Sequence, residues 1–352
     1  MRALGLLVPL LGLLGCWAPN EALELEALDE LDPAPARPGP LPQLADARQD
    51  APEEAFVGIA AGGETLVLWT RRAVSVSHDE GQRFTTAIHT NDDIQAVTIA
   101  DDGAVIAVDA SGTITHGTQQ HVLPTGGEGV QTEALLARGG RIVWLGEAGD
   151  DAPTLLLSED QAATWRALPI PEDCTEAHDL GLSADGTLEF FGGCEAGCGG
   201  GYQFRYALTL PGERWEEVDW NIDSPADRYV GASGWAYGLG FCGADHGAYT
   251  ESLCALSRER TAQVAPLSDL SAEPYPRLRA GASNVETDVM VVGDRLVIVH
   301  AGVLDSATVM AVPETTEIDI AIDDGGGIYG IIGGAAVRWD DGWRPMPVQA
   351  PE

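Results

Sequence analysis

The chain has no lysine: its 19 basic residues are all arginines, set against 55 acids, for a net charge of −36 over 352 residues. That absence excludes the basic patches that neutralise phosphates, and with them nucleic acid as a partner. It also opposes adsorption to anionic membranes. A lysine-free acidic surface suits a high-salt habitat, where screening blunts self-repulsion; a genomic bias toward arginine codons gives the same composition. No stretch shows sustained helical periodicity, and the apolar run Ala3–Leu14 is too short to cross a bilayer as a mature helix. Signatures of common chemistry are missing as well. No Ser-His-Asp arrangement or His-x-x-x-His occurs, and Gly325-Gly326-Gly327 lies between two apolar strands, as a hairpin turn does rather than a nucleotide loop.

What is present begins at the N-terminus. Arg2 followed by Ala3–Leu14 reads as a secretory leader. It ends in Leu13-Leu14-Gly15-Cys16, which resembles the lipobox of bacterial lipoproteins. The resemblance implies cleavage after residue 15, with Cys16 as the lipidated first residue, and Trp17 in place of aspartate implies sorting to the outer membrane, facing the periplasm or the surface. Acyl chains on Cys16 satisfy the requirement of stable anchoring for more than one signal. An ordinary leader with an incidental cysteine is the other reading. Residues 16–52 form an acidic Pro- and Ala-rich tether, with five prolines between Pro33 and Pro42 and no aromatic residue from Asn20 to Glu53 to build a core. Residues 53–348 are the folded domain and 349–352 a tail.

The phase of that domain is set by Ser77-His78-Asp79-Glu80-Gly81-Gln82-Arg83-Phe84. A short carboxylate that accepts backbone N–H groups and a glycine that tolerates positive φ make it a tight turn between strands. Ser158-Glu159-Asp160-Gln161-Ala162-Ala163-Thr164-Trp165 repeats it with Ala162 in place of the glycine, and Trp339-Asp340-Asp341-Gly342-Trp343 is a looser echo. The pattern resembles the Asp-box of BNR-repeat, sialidase-like β-propellers. In that family Ser77, Asp79, Gly81 and Phe84, and likewise Ser158, Asp160 and Trp165, are structural, on the turn between the third and fourth strands of a blade. The fold expected is all-β, a propeller of four-stranded blades, most simply seven. The starting strands read Ala55–Ala60, Ile94–Ala100, Glu133–Ala137, Asp179–Ser183, Tyr229–Ser233, Asp288–Val292 and Ile318–Ile322, each followed by a Gly-containing turn. A different all-β sandwich or solenoid is the alternative.

This phasing puts Asp93, Glu133, Asp179, Arg228, Asp288 and Asp319 at the entry of the inner strands, on the face opposite the Asp-box turns. The ring they would form reads as strand-capping solvated carboxylates or as a ligand face, with Ca²⁺ at Asp179, Asp288 and Asp319 as one occupant. Long loops on the same face, Gly146–Pro153, Gly192–Gly201 and Cys242–Cys254, make a second candidate rim. Five cysteines remain after Cys16, and an oxidising compartment predicts two bridges, Cys242–Cys254 first and then Cys174 with Cys194 or Cys198. A cross-blade Cys198–Cys242 bond and a zinc site at Cys194, Cys198 and His178 are weaker candidates. Catalysis is not expected. Sialidases need an arginine triad on the substrate carboxylate with a Tyr/Glu pair, and neither Arg71-Arg72 nor Arg228 is placed to supply it. The sequence therefore supports a monomeric, lipid-anchored envelope propeller that binds a protein, glycan or cation. A divergent sialidase-like glycoside hydrolase is the alternative.

Overall fold

The structure, a computed structural model, describes residues 55–348 apart from 126–129, 148–152, 172–173, 196–200, 213, 219–221, 224–227, 243–251, 259–261, 272, 274–275, 314–316 and 341. It is a seven-bladed β-propeller: seven antiparallel sheets, each made of consecutive strands. Blade 1 runs from Gly58–Gly62 to Thr85–His89, blade 2 from Ile94–Ile99 to Gln119–Val122, and blade 3 from Gln131–Arg138 to Arg166–Leu168. Blade 4 runs from Cys174–Leu182 to Glu216–Val218, and blade 5 from the split inner strand Ile222–Asp223 and Arg228–Val230 to Ala262–Pro266. Blade 6 runs from Leu278–Ser283 to Thr308–Ala311 and blade 7 from Ile318–Ile322 to Trp343–Pro345. The first strand of each blade packs beside the first strands of its neighbours, around the central channel.

Why the sequence takes this form is clearest in the second strands. Thr287–Val292 of blade 6 is buried throughout. Met290 and Val292 pack toward blade 5 with Tyr237 and Leu253, and Val289 and Val291 pack toward blade 7 with Ile320 and Val337. A strand sandwiched between two sheets needs apolar residues on both faces, so it reads as a continuous run rather than an alternation. This explains a misphased module. The sixth starting strand was expected at Asp288–Val292, but that run is the second strand; the inner strand is Leu278–Ser283, whose Leu-Arg-Ala-Gly-Ala-Ser is only half-buried.

Six of the seven seams between blades carry sizeable apolar clusters among the described residues. Among the described residues, the cluster at the seam between blades 4 and 5 is Phe191, Val230 and Ala236. The ring closes without a shared strand: blade 1 and blade 7 are each complete in themselves. Their seam is an apolar cluster including Phe56, Leu66, Phe84, Tyr329 and Met346, supplemented by bonds from Ile59 N–H to Asp319 Oδ2 at 2.9 Å and from Gly63 N–H to Asp324 Oδ2 at 3.1 Å.

Both Ser-x-Asp turns lie between third and fourth strands. In blade 1, Ser77 Oγ donates to Asp79 Oδ1 at 2.7 Å and accepts from Gly81 N–H at 2.9 Å, while Arg83 N–H reaches Asp79 Oδ1 at 2.9 Å. The Ser77 hydroxyl bond, with backbone N–H groups, holds the Asp79 carboxyl below its ordinary range. The blade 3 turn repeats the pattern through Ser158 and Asp160, with Thr164 donating both its N–H and its hydroxyl to the carboxylate. Ala162 takes the glycine position at φ 69°, and its methyl is fully buried. Trp165 Nε1 bonds to Ala162 O at 3.1 Å.

Candidate functional site

The six carboxylate and arginine positions expected at the channel entry do not converge. Asp93 precedes the inner strand of blade 2 and is ion-paired to Arg71 and Arg72 at 3.7 and 3.8 Å. Glu133 is exposed on the inner strand of blade 3. Asp179 is not at a strand start. It sits at φ 53° in an irregularity near the end of Cys174–Leu182. Arg228 does open an inner-strand segment, but its guanidinium lies over the Phe191 ring of blade 4 at 5.1 Å. Asp288 is fully buried on a second strand, where its Oδ2 accepts 2.6 Å bonds from the Ser233 and Tyr237 hydroxyls of blade 5. Asp319 is on an inner strand, tied to Ile59 N–H and to Ile320 N–H at 3.0 Å. Burial pushes the carboxyls of Asp288 and Asp319 up to about 6.

The Ca²⁺ site expected at Asp179, Asp288 and Asp319 is therefore corrected. The three side chains belong to different blades and strands, two are committed to structural bonds, and no group of three ligating side chains forms among the described residues. The first disulfide expectation is corrected too. Cys254 stands opposite Gly238 in the register, so Cys242 lies four residues farther along the strand. That is about 13 Å at strand rise, outside the Cα separation of about 4.4–6.8 Å that a disulfide spans. Cys174 stands opposite Cys194 in the register but is not in a disulfide, which corrects its pairing with Cys194 or Cys198, whereas Cys254 is disulfide-bonded. Cys198 lies outside the described residues, and with it the Cys198–Cys242 bond and the zinc site at Cys194, Cys198 and His178. So do residues 148–152, 196–200 and 243–251 of the three long loops.

Charge is concentrated between blades 4 and 5. Arg205 is fully buried and gives Glu189 Oε2 two bonds, from Nε at 2.8 Å and from Nη2 at 2.5 Å, while its Nη1 donates to Leu256 O at 3.0 Å. Arg258 donates to Glu189 Oε1, to Asp185 Oδ2 at 2.7 Å and to Ser183 Oγ at 2.5 Å. Burial raises the Asp185 carboxyl, but the Ser183 hydroxyl and the Arg258 guanidinium outweigh it and hold the group far below its ordinary range.

The cavity that all seven blades share lies in the channel. Its volume is about 590 Å³, and it opens at the ends of the inner strands and the hairpins that follow them. This is the face of the Ser-x-Asp turns, opposite the face on which a site was expected. The wall mixes partly exposed apolar side chains, Ala60, Ile99, Leu136 and Ala282, with polar groups. The rim is polarised. Glu64, Asp101, Asp102 and Asp324 come from the adjacent blades 7, 1 and 2, whereas Arg138, Tyr229 and Ser283 come from blades 3, 5 and 6. Two of the acids also latch blades together: Asp101 Oδ2 accepts from Gly140 N–H at 3.1 Å, as Asp324 does from Gly63. Arg138 leans across blade 4 to Ala232 O of blade 5, at 3.4 Å. Ser283, beside Tyr229 in the cavity lining, accepts at Oγ from Ala232 N–H at 2.6 Å. Burial, then the nearby Asp288 carboxylate, raises the Tyr229 hydroxyl well above its usual range, so it stays a neutral donor. The sequence signal for this site was present. Arg138-Gly139-Gly140 is a hairpin with a base where blades 2, 4 and 7 carry Asp101-Asp102-Gly103, Ala184-Asp185-Gly186 and Asp323-Asp324-Gly325.

No protein-family model and no curated protein matches the chain. Among solved structures it is similar to PorZ, described as an essential bacterial surface component of the type-IX secretion system of Porphyromonas gingivalis, with TM-score 0.57 and 14% identity over 85% of this chain and 39% of that one. The chain thus spans about two fifths of PorZ. It is also similar to U3-55K, with TM-score 0.55 and 11% identity over 85% of this chain and 94% of that one. At these identities the likeness is one of fold, and the class defined is the seven-bladed β-propeller.

Proposed function

We propose that the protein is a lipid-anchored β-propeller of the bacterial envelope that binds a partner molecule and does not turn over a substrate. The observation that carries this reading is the channel mouth: one open cavity with a mixed wall and a charged rim, built by every blade. Concave cavities of this size are common seats of ligands. The arginines are disposed for structure. Arg205 and Arg258 are spent on Glu189, Arg228 is stacked on Phe191, and Arg71 and Arg72 pair with Asp93, so of these bases and Arg138 only Arg138 reaches the cavity. The carboxylate grip of a sialidase-like site calls for three. Membership of the BNR-repeat family, lipidation of Cys16 and outer-membrane sorting belong to the same proposal, supported by the Ser-x-Asp turns and the lipobox-like leader.

The test is in cells of a lipoprotein-sorting bacterium. A photo-crosslinking amino acid in place of Glu64, on the cavity face, should trap a partner, and one in place of Asp93 should not. Labelled palmitate should be incorporated by the chain and lost with Cys16→Ser. Adducts from neither face would overturn the binding reading; palmitate-free protein would overturn the anchor.

A further inference from the structure

We propose that the channel mouth takes a zwitterionic short peptide, its carboxylate on Arg138 and its ammonium among the acids of the opposite rim. This deepens the binding reading above and rests on it. The argument starts from Arg138. A guanidinium offers five N–H donors in a planar fork, yet here it makes one long bond, 3.4 Å to Ala232 O, in a half-buried position at the edge of the cavity. A carboxylate is the group whose geometry that fork matches. Beside it the Tyr229 hydroxyl, kept neutral, and Ser283 supply further polar contacts.

The second charge follows from the rim. A simple anion would have to enter past Glu64, Asp101, Asp102 and Asp324, on a protein of net charge −36. A simple cation would leave Arg138 unmatched. The acids are confined to three neighbouring blades, 7, 1 and 2, and the guanidinium spans the side from blade 3 to blade 5. The field across the mouth is therefore that of a dipole, and a molecule with one charge of each sign fits it in one orientation. The partly exposed Ala60, Ile99, Leu136 and Ala282 of the wall leave room for small aliphatic side chains between the two charges. A tripeptide of small apolar residues has these features and fits within about 590 Å³.

The experiment is isothermal titration of the full chain carrying Cys16→Ser, which needs no detergent, with trialanine, N-acetyl-trialanine and trialanine amide. Trialanine should bind, and each blocked form should bind about tenfold more weakly or less. Arg138→Gln should abolish the preference for the free acid over the amide. Asp102→Asn, which can still accept the Ala104 N–H now held at 3.0 Å, should reduce the preference for the free amine. No binding of trialanine, or equal binding of all three peptides, would overturn the proposal. Retained discrimination in Arg138→Gln would overturn the assignment of the carboxylate. Crosslinks from residue 64 without peptide binding would leave the partner-binding reading standing and remove only this ligand.

Discussion

The seams on either side of blade 5 meet the same difficulty, a buried carboxylate, in opposite ways. Between blades 4 and 5, Glu189 is neutralised by two arginines, and little apolar surface backs the contact. Between blades 5 and 6, Asp288 has no cation beside it among the described residues. Its Oδ2 takes two hydroxyl bonds, its Oδ1 has none, and a large apolar cluster surrounds the pair. The comparison shows that a strongly acidic chain can pack carboxylates inside by pairing them or by letting them hold a proton. The two solutions respond to acid with opposite signs. Asp185, held low beside Arg258, contributes stability that is present above its ordinary value near 4 and is lost as pH falls below it. Asp288, pushed up to about 6, contributes stability that is complete below about 4 and is lost as pH rises through about 6.

The largest expected effect is at the paired seam. Glu189→Ala leaves Arg205 buried without its partner and should cost about 3–5 kcal/mol in urea unfolding at pH 7. The double change Glu189→Leu with Arg205→Met should recover much of that loss, since a buried pair often contributes little beyond an apolar replacement. The unpaired seam comes next. Asp288→Asn removes the proton uptake, so the rise in wild-type stability from pH 7 to pH 5 should shrink by about 1 kcal/mol, with Asp319 carrying the residual slope. Tyr237→Phe deletes one of the two hydroxyl bonds to Asp288 and should cost about 1–3 kcal/mol at pH 7, less at pH 5 where the carboxyl is protonated; an equal cost at both pH values would break the assignment. At the small end, Asp185→Asn on the exposed edge of the paired seam should cost no more than about 1 kcal/mol and lose even that below pH 4. Millimolar Ca²⁺ at matched ionic strength should leave the melting temperature unchanged, because Asp179, Asp288 and Asp319 lie on separate blades and form no group of three among the described residues.

Much of the architecture could be read from the chain. The Ser77 and Ser158 turns gave the right phase, and the blade number follows from strand–Gly–strand spacing. The misphased sixth module has a physical cause: its doubly buried second strand is a stronger apolar run than its inner strand. Inner strands face the channel on one side and need close neighbours on the other. Leu278–Ser283 therefore carries Gly281, where a Cβ would lie 2.4 Å from the Tyr229 ring, and looks unlike a core strand. The doubly buried second strand beside it won the assignment, and Asp288 went with it from an interior hydrogen-bond acceptor to a supposed rim ligand. The channel site was harder still. Arg138 looks like any residue before a Gly-Gly turn until the ring closes and sets it across from blades 7, 1 and 2.

That closure has a mechanical side. In a ring locked by a strand shared between its first and last sheets, pulling one end out means shearing a ladder of backbone hydrogen bonds. Here the first and last sheets only lean on one another, and the chain enters at Phe56, inside their common cluster. Tension applied through the residues before Phe56 arrives at the joint held by side-chain packing and the Asp319 and Asp324 bonds. It would peel blade 1 away as a unit and open the channel sideways while the other sheets stayed intact. A molecule held in the mouth, touching both sides of that joint, would act as a clasp and raise the force needed to part it.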